Sequence, residues 1–118
     1  MKSVEALWLV NFGDYEMPGE ARNGGVLVLE TGRGFGGDSG YAYVGTYNVS
    51  SDKFEADMSI TRFNFSPEVE SVWGPDVSEL DVLASLARED DIMYGTMWPK
   101  AAPDLKLAVF LVRFRDLP

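Results

Sequence analysis

Phe54-Glu55-Ala56-Asp57-Met58-Ser59-Ile60-Thr61-Arg62-Phe63 carries the clearest alternation in the chain. Phe54, Ala56, Met58 and Ile60 fall on one face; Glu55, Asp57, Ser59 and Thr61 fall on the other. Successive side chains of a strand point to opposite sides, so this period of two predicts a strand with one buried face and one wet face.

Working outward, short apolar segments recur between clusters of Gly, Asp, Asn, Ser and Pro. Upstream, Ser50-Ser51-Asp52-Lys53 reads as a tight turn, and Tyr41 to Val49 as the strand before it. Earlier strands are expected over Arg33 to Gly36, Gly25 to Glu30 (closed by a Thr31-Gly32 turn) and Val4 to Phe12. Gly13 to Gly24 is a long polar connection. Downstream, Asn64 to Asp76 reads as a loop through Pro67, Gly74 and Pro75. Val77 to Ala87 fits either a strand or a helix. Leu80, Val82, Ala84 and Leu86 alternate with polar residues, while its Leu and Ala residues suit a helix. The strand reading is favoured because both neighbours read as strands. An acidic turn at Arg88-Glu89-Asp90-Asp91, a strand over Ile92 to Trp98, a loop over Pro99 to Asp104 and a last strand over Lys106 to Phe114 complete the chain. About eight strands with no βαβ crossover predict one all-β domain over residues 1–118. The expected architecture is an antiparallel up-and-down barrel, closed so that no edge is left unpaired.

The chain of 118 residues has 10 Lys+Arg against 19 Asp+Glu, a formal charge of −9, and contains no His and no Cys. Those zeros exclude His- or Cys-based zinc sites, thiol redox chemistry, disulfides and Ser-His-Asp triads. The acidic balance argues against direct nucleic-acid binding, since phosphates need Lys/Arg neutralisation. Glu5 interrupts any signal-peptide core, and the longest apolar run, Leu107 to Val112, is far short of the ~20 residues of a membrane helix. A cytoplasmic location is expected, and the sequons at Asn48 and Asn64 are then chance matches.

The Gly32–Gly40 stretch holds three decoys. Gly32, Gly34 and Gly37 satisfy G-x-G-x-x-G, but that fingerprint needs a helix next and a Tyr-rich strand follows. Gly37-Asp38-Ser39-Gly40 spells a trypsin-like nucleophile motif, and its first three residues begin a lipase-like one. Both chemistries need a histidine to take the serine proton. A Ser-Lys dyad with Lys53, Lys100 or Lys106 is disfavoured because these lysines sit at turn and surface positions. The plain reading is a turn in which Asp and Ser bind local backbone N–H groups.

Pairs such as Glu55/Asp57 and Glu79/Asp81 could suit calcium or glycosidase chemistry, but they fit solvated strand faces better, and no calcium-loop motif is present. The expectation is a non-enzymatic protein with no catalytic residues, no metal and no cofactor. The aromatic residues suit either a filled barrel interior or a ligand cavity. The candidate cavity residues are Trp8, Val10, Phe12, Tyr43, Phe54, Met58 and Arg62, with Arg62 placed to meet a ligand carboxylate at the barrel mouth. Glu89, Asp90 and Asp91 form a candidate partner loop for a basic protein. The first and last strands are apolar on both faces, and closure makes them neighbours. Leu7, Leu9, Phe110 and Val112 are therefore the candidate seam of a homodimer.

Three segments resemble the GrlR family of bacterial regulators: Leu7-Trp8-Leu9-Val10-Asn11-Phe12-Gly13, Gly25-Val26-Leu27-Val28-Leu29, and Gly36-Gly37-Asp38-Ser39-Gly40-Tyr41-Ala42-Tyr43-Val44-Gly45-Thr46-Tyr47. The resemblance implies a lipocalin-like, dimeric, cytoplasmic barrel without enzymatic activity. It also implies an apolar cavity for lipid-like molecules and a role as a negative regulator that acts by binding a protein partner. The family's acidic Glu-Asp-Glu-Asp partner loop corresponds to Ser50-Ser51-Asp52-Lys53 here, so that role is not carried onto these residues. The functional expectation is a regulatory protein that binds another protein. The alternative is a carrier or sensor of a small apolar or amphipathic ligand.

Overall fold

The computed structural model describes residues 2–14, 23–69, 73–74 and 77–118. Eight strands follow one another: β1 (Ala6–Asp14), β2 (Asn23–Glu30), β3 (Arg33–Gly37), β4 (Tyr41–Val49), β5 (Lys53–Arg62), β6 (Glu79–Arg88), β7 (Ile92–Pro99) and β8 (Leu107–Asp116). Each pairs with the next, and β1 pairs with β8, giving a closed antiparallel up-and-down barrel of lipocalin-like topology. Residues 15–22 of the first long connection lie outside the described residues, as do 70–72 and 75–76 of the β5–β6 connection.

The ambiguous segment is a strand. Leu80, Val82, Ala84 and Leu86 sit opposite Ile60, Met58, Ala56 and Phe54 of β5, so their period of two is satisfied on a pairing partner. This tertiary context overrides the helix preference of Leu and Ala. The β2–β3 turn needs left-handed backbone at two successive residues. Thr31 has φ 50° and Gly32 φ 79°, as a two-residue hairpin that follows sheet twist requires. The Thr31 N–H is tied to Glu5 Oε2 at 2.8 Å.

One end of the barrel is filled. Trp8, Phe54, Leu29, Met93 and Leu111 are its largest fully buried side chains. The Trp8 indole N–H donates to the Val4 carbonyl at 2.9 Å, and the Arg113 guanidinium lies 4.8 Å from the ring centre. Arg113 also donates to the carbonyls of Ser3 (2.5 Å) and Asp90 (3.1 Å), and Arg88 donates to the carbonyls of Ser50 (2.6 Å) and Lys2. Two guanidinium groups thus bind the amino-terminal arm and two hairpin turns across the closed end.

The outer surface divides by chemistry. On β5 and β6 it carries Glu55, Asp57, Ser59, Glu79 and Asp81, with Lys100 paired to Asp57 at 2.8 Å. The opposite side is apolar, and strand register makes it continuous. Val44 pairs with Phe35, Phe35 with Val28, and Val28 with Leu7. In the next rows Val26 pairs with Leu9, Leu9 with Val112 and Val112 with Ile92, while Phe110 pairs with Tyr94. Phe35 and Tyr94 are each 46% exposed and Val44 61%, so this band faces solvent in the single chain.

Trp8→Ala is expected to cost about 3–5 kcal/mol, the usual range for emptying a buried aromatic site. Phe35→Ala should stay within about 0.5 kcal/mol, because its side chain is already half in solvent. Urea unfolding of the two variants beside the parent checks the contrast.

Candidate functional site

The filled end does not extend through the barrel. Phe54 and Leu86 face each other across β5 and β6 near the plug, but the next inward pair up these strands is Ala56 and Ala84. Two methyl groups replace two large side chains, and the interior widens. Above this step lies a cavity of about 400 Å3. That volume falls within the ~300–1,000 Å3 range of small-molecule sites. Its walls come from inward-facing residues of β1, β2 and β4–β8, among them Val10, Phe12, Leu27, Tyr43, Met58, Val82, Met97 and Val109.

The mouth is built from two connections. The β3–β4 turn brings Asp38, Ser39 and Gly40, and the β5–β6 connection brings Glu68, Val69, Trp73 and Val77. Asp38 organises its turn: Oδ1 accepts from the N–H groups of Gly40 and Tyr41, both at 2.8 Å, and Oδ2 accepts from the Tyr43 hydroxyl. The Tyr41 hydroxyl donates to the Val77 carbonyl at 2.8 Å, joining β4 to the far connection. Gly40 lets the two connections approach closely: a Cβ on it would lie 2.2 Å from Val69 Cγ1 and force that side chain to shift. The Phe63 N–H donates to the Gly40 carbonyl at 2.9 Å, and Asn64 Nδ2 donates to the Ser39 carbonyl at 3.1 Å.

Burial pushes the Tyr43 phenol far above its ordinary value, and the Asp38 carboxylate that accepts its hydrogen bond pushes it further. Burial likewise raises Tyr47. Tyr43 is therefore a fixed neutral donor.

Five of the seven expected cavity residues converge on this space: Val10, Phe12, Tyr43, Phe54 and Met58. Trp8 does not line it. Trp8 shares the inward face with Val10 and Phe12 but lies deeper, inside the plug. Nor is Arg62 among the lining residues. Its guanidinium turns toward the connection and donates to the carbonyls of Asn64 (2.8 Å), Ser66 (3.2 Å) and Val69 (3.2 Å). It braces the mouth from behind. The acidic turn is engaged within the chain. Lys2 N–H donates to Asp90 Oδ1 at 3.2 Å, and Asp91 Oδ1 lies 3.1 Å from Lys2 Nζ and 3.3 Å from Arg113 Nε. Glu89, Asp90 and Asp91 remain exposed. Leu7, Leu9, Phe110 and Val112 are half-buried on the outer face of the β1–β8 pair.

Sequence reasoning read Asp38 as a turn residue, which it is, but missed it as a mouth residue. The available signal was an acid three and five residues before two inward tyrosines. Glu68, Val69 and Trp73 were missed because they lie in a connection without periodicity. Among the described residues, no group of three or more Asp or Glu is placed to hold a metal ion. Compared with known protein families and with curated proteins, the chain matches none.

Tyr43 sets an alkaline limit. The unfolded chain releases this proton near pH 10, whereas the folded chain keeps it to higher pH. The folded state then holds more protons, so its stability is intact below pH 10 and falls as pH rises beyond it. Thermal melts from neutral to strongly alkaline pH should show that fall, and Tyr43→Phe should flatten it. The variant should also lose about 1–3 kcal/mol at neutral pH with the bond to Asp38.

Proposed function

We propose that this chain is a non-enzymatic binding protein whose barrel takes up one small apolar or amphipathic molecule. The observation that carries this reading is the cavity itself: an apolar interior of about 400 Å3, open at one end and sealed at the other by the Trp8 plug. Its few polar groups are gathered at the mouth, the arrangement by which a pocket orients a ligand with one polar end. Small eight-stranded barrels have room for one such ligand. The resemblance to the GrlR family points the same way, since an apolar cavity is among the properties it implies.

Native mass spectrometry of protein purified from cells should show a small co-purified molecule. Ala84→Phe should remove it by filling the wide part of the barrel, at a cost of about 1–3 kcal/mol. Circular dichroism confirms that the variant is folded. Absence of any bound molecule, together with no uptake of added amphiphiles, would overturn the reading.

A second reading, a regulator that acts by binding proteins, is supported by the apolar outer band. Monomeric proteins rarely expose contiguous apolar surface of this kind. The band suits a homodimer centred on Leu7, Leu9, Phe110 and Val112, with the same surface on both copies. The two readings are compatible, because a ligand that prefers one conformation of the mouth shifts the population available to a partner. Val112→Glu should convert the dimer to a monomer in light scattering at micromolar concentration. A parent protein that is already monomeric there would count against the seam.

A further inference from the structure

We infer that the cavity selects amphiphiles by the charge of the head group, taking a protonated amine in preference to a carboxylate. This rests on the reading that the barrel interior binds a ligand and specifies its chemistry. Among the described residues that line the cavity, the charged ones are Asp38 and Glu68, both acids and both at the mouth. No Lys or Arg is among them.

Among the described residues, the cation best placed to meet a carboxylate is Arg62, which ends β5 opposite Tyr41. Its Nε and Nη2 are held by three loop carbonyls, and its guanidinium carbon stands 5.3 Å from the centre of the Phe65 ring. It is a part of the frame. Among the described residues, a carboxylate head group entering the mouth would therefore meet two like charges and no counter-charge. At close range in a partly dehydrated mouth, like-charge repulsion is strong enough to decide between ligands.

An ammonium head group meets the opposite situation. Asp38 accepts from two amide N–H groups and the Tyr43 hydroxyl, and a carboxylate has about four lone-pair sites, so one acceptor position remains. The rings of Tyr41, Tyr43 and Trp73 border the same space, and aromatic faces attract cations. The chain's formal charge of −9 adds a field of the same sign. The hydrocarbon tail then lies on Phe12, Met58 and Val82 below.

Isothermal titration of the whole chain with decylammonium, decanol and decanoate, below their micelle-forming concentrations and at neutral pH, tests this. Decylammonium should bind at least about tenfold tighter than decanoate, with decanol between them. Asp38→Asn and Glu68→Gln should each lower the ratio of decylammonium to decanol affinity. Glu68 is exposed, so its variant remains informative if Asp38→Asn disturbs the turn. Equal affinities, or tightest binding of decanoate, would overturn the charge selection and leave the cavity reading standing. Failure of all three to bind would overturn the cavity reading itself.

Discussion

Closing eight strands into a barrel imposes one constraint on nearly every residue: a side chain points either into a narrow interior or out to the surroundings. The plug, the cavity and the outer band are three consequences of that division. Inward positions near the chain ends carry Trp8, Leu29, Phe54 and Met93, and the interior is full there. Inward positions one step further carry Ala56 and Ala84, and it is not. The pairing of β1 with β8, with a register shift between Leu7 and Trp8, makes the interior an enclosed space rather than the face of an open sheet.

The mouth has a different physical basis from the walls. The walls rest on backbone pairing and apolar contact. The mouth rests on a few polar side chains that gather backbone groups: Asp38 collects two amides and a phenol, and Arg62 collects three carbonyls. Such connections open at lower free-energy cost than a barrel wall does. A cavity with a rigid floor and a rim tied by a few polar side chains follows.

Period and turn chemistry made the strand order legible, because alternation at Phe54, Ala56, Met58 and Ile60 states which face is buried before any partner is known. The same logic placed Val10, Phe12 and Tyr43 inside. Period reports the face of a strand and is silent about depth, which is why Trp8 joined the cavity residues although it belongs to the plug. It is equally silent about long side chains at strand ends. Arg62 turns away because the carbonyls of residues 64, 66 and 69 form a receptor for its guanidinium, and their path depends on a connection without periodicity. The outer band exceeds its seam for a related reason. Val26, Phe35 and Val44 look scattered along the chain and become neighbours only when registers align.

The two-sided apolarity of the first strand also bears on how the protein is made. Leu7 and Leu9 project from one side of β1 and Trp8 and Val10 from the other, so this strand is apolar on both faces and pairs along both edges. Its β2 edge is available early in synthesis. Its other partner, from Leu107 to Asp116, is seven strands further along the chain. During translation the nascent chain therefore carries an apolar strand with an open edge until β8 emerges, a state that invites pairing with other chains. Prompt docking of the β7–β8 hairpin on β1 is as much a requirement of this sequence as the barrel it closes.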